Sequence, residues 1–176
     1  MPSSDRKHVL RRYEFHHWAT DRVFDALSSL TGDQLDEEWG GSFGTGRALL
    51  RHVIGVEWLW YERWNVRSPK VLPDYPTSWS GRDFKAEWDK VKSDQEHFLQ
   101  GVTATLLAAE LSYVNMKGVA SRYRFAEVFE HCVNHGTYHR GQITHLLRDR
   151  GLAAPATDYL LFVEEKRKSM NYRTEN

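Results

Sequence analysis

Three histidines, His131, His135 and His139, follow one another at intervals of four residues. They lie in a segment, 125–150, whose apolar residues recur with helical spacing. Residues at i and i+4 share one face of a helix, with Cβ atoms about 5–6 Å apart. Two imidazoles at that separation can converge on one divalent ion, because Zn–N bonds are about 2.0–2.1 Å long. The spacing therefore indicates metal binding.

Helical periodicity also ranks the three histidines by their expected burial. At about 100° per residue, His139 falls inside the apolar stripe of the helix, His135 on its edge and His131 further round. We predict that His135 and His139 point into a shielded site and that His131 is a partly exposed neighbour. The stripe comprises Phe125, Val128, Phe129, Cys132, Gly136, Ile143, Leu146 and Leu147.

Other metal chemistries fit the sequence less well. The pair lacks the glutamate that follows the first histidine in HExxH metalloproteases. A di-iron carboxylate bundle needs two Glu-x-x-His motifs, and only Glu14-x-x-His17 has that form. A third ligand for the pair must come from another helix, where His52 and His17 are both candidates. The residues alone do not separate them.

Amphipathic helices would position these side chains. The glycine-rich stretch 40–46 lacks the ending of a phosphate-binding loop, so we predict a connection in which Thr45 caps the next helix. We predict a long loop at 69–76, which holds three prolines, and irregular chain at 111–124, with two short extended pieces around Lys117-Gly118. Helical spacing predicts long helices at about 8–30, 46–65, 81–102 and 125–150, and a short terminal helix at about 158–168.

Four long helices with one long connection predict an all-α protein, a four-helix bundle, and such bundles commonly hold metal sites in their cores. At 176 residues the chain is expected to form one domain, 1–176. Lys and Arg balance Asp and Glu at 24 each, so we expect no nucleic-acid partner. We also expect no membrane partner, since no run approaches the roughly 20 apolar residues of a spanning helix.

The N-terminal segment 1–7 lacks the apolar core of a signal peptide, and the chain has one cysteine, Cys132. One cysteine excludes an intrachain disulfide and suits a reducing cytosol, so we expect a cytoplasmic protein. Because Cys132 lies in the apolar stripe, it is predicted to be a small buried hydrophobe.

The string His135-Gly136-Thr137-Tyr138-His139-Arg140-Gly141-Gln142-Ile143 resembles the HxxxHRGQ signature of the DinB/YfiT-like superfamily. The resemblance extends over most of the chain. Further matching pieces are His16-His17-Trp18-Ala19 with Arg22, Gly41-Ser42-Phe43-Gly44, Leu50-Arg51-His52-Val53 with Glu57-Trp58, Leu147-Arg148-Asp149-Arg150-Gly151, and Pro155 with Asp158.

The resemblance implies a four-helix bundle of the DinB/YfiT-like type, with a short C-terminal helix, that binds one divalent metal ion. It assigns the ion to His52, His135 and His139, and it makes zinc or nickel the leading metals. It also implies a homodimer, which the seven Trp residues support, since they exceed what one core obviously needs. Thr20 departs from the asparagine of many members, which puts in doubt any role taken from that side chain.

Relatives of this type resemble either thiol-dependent S-transferases or metal-dependent hydrolases. The motif offers no clear general base, which favours thiol activation with a low-molecular-weight thiol as co-substrate and a small-molecule substrate. The alternatives are a hydrolase that uses metal-activated water and a non-catalytic, stress-linked metal- or ligand-binding bundle. No catalytic residue beyond the ligands is identified, and the roles of Glu57 and Arg140 stay open. Gly136 and Gly141 are predicted to allow close helix packing.

Overall fold

Four long helices form the frame of the molecule, for which a computed structural model describes residues 6–174, with side chains to residue 169. The N-terminal residues 1–5, part of the segment considered for a signal peptide, lie outside the described residues. The helices are α1 (Arg6–Leu27), α2 (Gly32–Asp36), α3 (Gly46–Trp64), α4 (Gly81–Gln100), α5 (Ala104–Ala108), α6 (Phe125–Asp149) and α7 (Tyr159–Thr174). The strands are β1 (Glu38–Gly40), β2 (Gly44–Thr45), β3 (Glu110–Val114) and β4 (Ala120–Arg124).

The long helices α1, α3, α4 and α6 pack as a bundle. Both α1 and α3 contact α4 and α6, so the chain's first and second long helices are separated by the other two. Helix α7 packs on the outside of α1 through Phe162, whose ring contacts Phe15. The predicted all-α four-helix bundle is confirmed. None of the helices in residues 6–174 is both long and apolar enough to cross a membrane.

The core is divided along the bundle axis into two large apolar clusters. One contains Phe24, Ile54 and Trp88, and the other contains Tyr13, Trp64 and Phe129. Between them, at the middle of the helices, the buried side chains are polar. This polar layer consists of His16, His17 and Thr20 of α1, Glu57 of α3, Gln95 of α4 and Arg140 of α6.

The connection between α1 and α3 is more regular than the sequence predicts. Helix α1 ends at Leu27, three residues before the predicted end, and Thr31 starts the short helix α2. Its hydroxyl accepts from the backbone N–H of Gln34, whose side-chain oxygen accepts from the Thr31 N–H, forming a capping box. Thr45 caps α3 as predicted, since its hydroxyl accepts from the Ala48 N–H.

The glycine-rich stretch forms a small hairpin, in which β1 and β2 pair around a 3-10 turn at Gly41–Phe43. Gly40, Gly41 and Gly44 have φ values of 75°, 69° and 73°. This left-handed region favours glycine, because a Cβ there meets the backbone. The glycines thus explain how so short a loop reverses direction and presents Phe43.

The segment predicted as irregular at 111–124 is a regular hairpin of β3 and β4, so that prediction is wrong in part. The two extended pieces do lie on either side of Lys117-Gly118, and they pair antiparallel from Glu110–Arg124 to Val114–Ala120. In the turn, the side-chain oxygen of Asn115 accepts from the N–H groups of Lys117 and Val119, and Gly118 has φ 80°. Alternation of side chains in five-residue strands is too short a signal to see reliably.

Gly136 lets α6 approach α1 closely. A Cβ at this position would lie 2.3 Å from Cε1 of the buried His16 ring. Gly141, on the same helix, has no heavy atom within 4 Å of such a Cβ. The expected close packing is therefore confirmed at Gly136 and is wrong at Gly141.

The two glycines give a matched test of this contact. Gly136→Ala should lower the free energy of unfolding by about 1–3 kcal/mol, because the new methyl group overpacks the helix contact. Gly141→Ala should leave it unchanged or raise it by up to about 1 kcal/mol, through better helix propensity alone. Urea unfolding followed by circular dichroism measures both. A Gly136→Ala protein as stable as Gly141→Ala would show that the contact is not tight.

Candidate metal centre

His52 of α3 and His135 and His139 of α6 converge at one point between the two helices. Nε2 of His139 lies 3.0 Å from Nε2 of His135 and 3.2 Å from Nε2 of His52. One ring nitrogen from each of the three lies within 4.8 Å of the other two. Of the two third-ligand candidates that the residues left open, the structure brings His52 to the pair and places His17 elsewhere.

The nitrogen geometry suits a metal ion. In a tetrahedral site with bonds of about 2.1 Å, donor atoms lie about 3.4 Å apart, close to the two shortest separations here. Nδ1 of His139 is 2.7 Å from the side-chain oxygen of Gln142. Because an amide oxygen only accepts, Nδ1 carries the proton and Nε2 turns its lone pair toward the other two rings. Gln142 in turn donates to the Tyr138 hydroxyl at 3.1 Å.

The surroundings keep the three rings neutral, as metal ligation requires. Burial lowers the pKa of His135 to about 4, and the neighbouring His139 and His52 add to this effect, while Glu57 opposes it. Burial also lowers the pKa of His52, with a further contribution from His139, and it lowers that of His139. At neutral pH each ring therefore offers a lone pair without having to lose a proton first.

Phe43 covers one side of the cluster. Its ring centroid lies 4.8 Å from that of His52 and 5.8 Å from that of His139. The glycine-rich hairpin carries this ring, so the loop has a role that its lack of a phosphate-binding ending did not reveal. Phe43 and Gln142 also border a cavity of about 140 Å³ next to the cluster.

The burial of the α6 histidines follows the predicted order. His139 is buried, His135 is half-buried and His131 is exposed. The ring of His131 packs against Trp60 and does not belong to the three-nitrogen cluster. Cys132 is buried as predicted, and burial raises the pKa of its thiol well above the ordinary value, with Glu57 adding to the increase.

Glu57 is the centre of the polar layer next to the cluster. The residue is 2% exposed, and its carboxylate accepts a hydrogen bond from the side-chain amide of Gln95 at 2.9 Å. Its other oxygen is 3.1 Å from Nε2 of His16. Burial alone would raise the pKa of Glu57, but attraction to His16 and the hydrogen bond from Gln95 outweigh it and lower the pKa to about 2.

Arg140 connects α6 to α1 within the same layer. Its guanidinium, which is 3% exposed, donates to Nδ1 of His16 at 3.0 Å, to the Thr20 hydroxyl at 3.1 Å and to the Thr137 hydroxyl at 2.9 Å. Arg140 is thus a buried hydrogen-bond donor and does not form an ordinary surface salt bridge. Thr20, the residue that departs from the common asparagine, retains a polar role as its acceptor.

His17 and Glu57 hold positions that sequence reasoning left undecided. Nε2 of His17 lies 2.8 Å from the side-chain oxygen of Gln95, which links it to Glu57. Glu57 does not hydrogen-bond to any of the three clustered rings in the part of the chain that the structure describes. His16 and Gln95 were missed as members of this network, because helical spacing marks a position as buried without naming its partner.

An all-α bundle with three histidines converging between two of its long helices defines the class of this protein. The sequence model of the DinB family matches residues 4–172. The chain belongs to the DinB family, as its motifs predict. Protein DinB of Bacillus subtilis (strain 168) is 29% identical over 163 residues, which cover 88% of this chain and 93% of the relative.

Two solved structures share the fold. A DinB-like protein from Bacillus cereus ATCC 10987 has a TM-score of 0.67 at 21% identity, covering 85% of this chain and 95% of that one. A DinB-like protein from Bacillus subtilis has a TM-score of 0.65 at 14% identity, covering 85% and 97%. At these identities the likeness extends to the fold alone.

The lowered histidine pKa values predict how the metal-free protein responds to acid. Between about pH 6.5 and pH 4 the unfolded chain binds protons at His135 that the folded chain does not, so stability should fall as pH falls through this window. Glu57 contributes in the same direction only below its unfolded value near 4.5. Thermal unfolding of chelator-treated protein at several pH values measures the effect. His135→Asn should flatten the slope, and a slope equal to that of the wild type in this variant would contradict the assignment.

Proposed function

We propose that His52, His135 and His139 bind one divalent metal ion, with zinc or nickel as the leading metals. The observation that carries the proposal is the convergence of three neutral ring nitrogens within 4.8 Å, one of them fixed in its tautomer by Gln142. Three imidazoles suit either metal and leave coordination positions open. Membership of the DinB family supports the same ligand set.

Metal stoichiometry tests the ligands one by one. Protein purified without a histidine tag should contain about one equivalent of metal per chain, and His52→Ala, His135→Ala and His139→Ala should each lose most of it, because two imidazoles hold an ion poorly. Elemental analysis after dialysis gives the ratio. His131→Ala, one helical turn away from His135, is the matched control and should keep full occupancy. Full occupancy in any of the three ligand variants would remove that residue from the site.

The function that best fits such a site is that of a metal-dependent enzyme acting on a small molecule by thiol activation. A divalent ion with an open position supplies Lewis-acid chemistry, which stabilises a bound thiolate or polarises an oxygen. Side chains of the protein orient one of the proposed ligands and shield the cluster. Gln142 fixes the ring of His139, and Phe43 covers the cluster on one side.

Thiol activation is proposed over hydrolysis because the nearest buried carboxylate is already engaged. Glu57 has a pKa of about 2, is bonded to Gln95 and is 2% exposed, so it is a poor general base for a water molecule at the cluster. A thiol has an ordinary pKa of about 8.5 and is fully deprotonated when it coordinates a metal ion, whereas metal-bound water still has a pKa of about 7. Hydrolysis and a purely non-catalytic role are the alternative outcomes of the following test.

Metal-loaded protein should accelerate conjugation of a low-molecular-weight thiol with an electrophile at neutral pH, where the free thiol is mostly protonated. The rate should rise at least tenfold above the uncatalysed reaction and return to background in His135→Ala. His97→Ala, at an exposed histidine on α4, is the control. Thiol consumption measured with several thiols gives the rates. Ester or amide cleavage that needs metal but no thiol would support hydrolysis, and no turnover with either substrate class would support a binding role.

We also propose that the protein forms a homodimer, and this proposal rests on the family resemblance alone. The seven Trp residues do not support it, because each lies in or against one of the chain's own apolar clusters. The count that suggested a second apolar surface is therefore explained within one chain. These residues are Trp18, Trp39, Trp58, Trp60, Trp64, Trp79 and Trp88.

Sedimentation velocity tests the oligomeric state directly. At micromolar concentration the protein should sediment with twice the chain mass of 20.6 kDa, since stable dimers bury enough surface to persist at that concentration. The same run with metal-free protein shows whether the ion affects association. A single species of chain mass under both conditions would exclude the dimer.

A further inference from the structure

A cavity of about 300 Å³ lies beside the proposed metal centre, between α3, the start of α6 and the β3–β4 hairpin. This volume is at the lower end of the range of about 300–1,000 Å³ found for small-molecule sites, which are mostly lined by apolar and aromatic groups. Its wall is made by Trp60, Tyr113, Tyr123, Glu127, Val128 and His131.

The cavity adjoins the histidine cluster through His131. The ring of His131 lies 5.1 Å from that of Trp60 and 6.1 Å from that of His135, measured between centroids. A molecule held in the cavity is thus one helical turn from a proposed metal ligand. A chain of about five atoms spans that distance.

Arg63 places a positive charge directly against the cavity wall. Its guanidinium carbon lies 4.6 Å from the ring centroid of Trp60 and 4.3 Å from that of Tyr113, two rings that line the cavity. The residue is 6% exposed, and its Nε is buried without a hydrogen-bond partner. Within residues 6–169, no group accepts a hydrogen bond from its guanidinium.

The other buried arginines of the described chain are satisfied, which makes Arg63 an exception. Arg47 forms a bidentate pair with Asp36, and Arg140 donates to three acceptors in the polar layer. A buried cation without a partner costs free energy that a bound anion would offset. Aromatic faces attract a cation but do not neutralise its charge.

Glu127, the one carboxylate that the described residues contribute to the cavity wall, does not compensate Arg63. Glu127 accepts a hydrogen bond from the backbone N–H of Arg124 at 2.9 Å and so caps the N-terminus of α6. Its negative charge is directed at the helix end, where it is stabilised. The electrostatic preference of the cavity is therefore set by Arg63.

We propose that this cavity binds the substrate of the metal centre through a planar apolar group that carries a negative charge, such as an aromatic carboxylate. Trp60 and Tyr113 contact the planar group, Arg63 favours the anion over a cation, and His131 marks the side that leads to the ion. The identification of the ligand as substrate rests on the proposed function, while the binding site itself does not.

Two probes of the same ring system and opposite charge test the preference, 1-naphthoate and 1-naphthylmethylammonium. Isothermal titration of metal-free protein at neutral pH should show at least tenfold tighter binding of the anion. Arg63→Met should reduce the preference to less than threefold, whereas Arg63→Lys, which keeps the charge, should retain most of it. Circular dichroism establishes that each variant is folded, and Arg63→Gln, which also removes the charge and should likewise reduce the preference to less than threefold, replaces Arg63→Met should that variant not fold.

A blocking variant tests the location. His131→Trp places a larger ring in the cavity and should weaken binding of the anion at least tenfold. Arg148→Trp, at an exposed position further along α6, is the matched control and should leave binding unchanged. Equal affinity for the two probes, a preference unchanged in Arg63→Met, or undiminished binding in His131→Trp would each overturn the proposal.

Naphthoate binding by zinc-loaded protein tests the cavity proposal separately from the metal-site proposal. Zinc should tighten naphthoate binding several-fold in the wild type and have no such effect in His135→Ala, because the second positive charge lies one turn away. Zinc uptake without naphthoate binding would overturn the cavity proposal alone. A failure to take up zinc, with selective naphthoate binding intact, would overturn the metal site and leave the anion site standing.

Discussion

The burial of one carboxylate, that of Glu57, constrains the rest of the bundle. A carboxylate that is 2% exposed is expensive to keep charged unless donors and positive charge surround it. Its surroundings come from the three other long helices: Gln95 from α4, His16 from α1 and, through His16, Arg140 from α6. Each of these three helices supplies a different group around the carboxylate. All of the contacts of the carboxylate therefore form together at one axial alignment of the four long helices. We infer that this layer fixes a register that the apolar clusters on either side would leave loosely determined.

The same axial register brings the three histidines of the cluster together. Arg140 follows His139 directly in sequence, yet their side chains serve different faces of α6, one toward α1 and the other toward α3. Gly136 lies next to His135 and lets the helix approach His16. The contacts that hold α6 against α1 therefore also set the height at which its two histidines meet His52. Polar-layer residues thus position the cluster without contacting it.

The sequence predicts the helices and the burial order of His139, His135 and His131, because both follow from local periodicity. It does not predict the polar layer, since a polar residue at a buried helical position has no sequence signal for a distant partner. His17 and Gln95 are 78 residues apart, and His16 and Arg140 are 124 residues apart. The residues alone do not decide between His52 and His17 as the third ligand, and in the sequence only the family resemblance favours His52. Elements of two to five residues, such as α2 and β1, are too short for periodicity to show.

Charge balance links the metal centre to the cavity next to it. In the buried interior Arg140 offsets Glu57, whereas within residues 6–169 Arg63 forms no ion pair. The three clustered imidazoles are neutral at neutral pH. A divalent ion would thus enter an interior that already has one positive charge in excess. Because the three imidazoles are neutral, they would leave the full charge of the ion to attract an anion. Arg63 would add to this attraction from the wall of the neighbouring cavity. A thiolate at the ion and an anionic group beside Arg63 would together compensate these charges, so the proposed preference for anionic over cationic ligands would follow from residues that make no direct contact with one another.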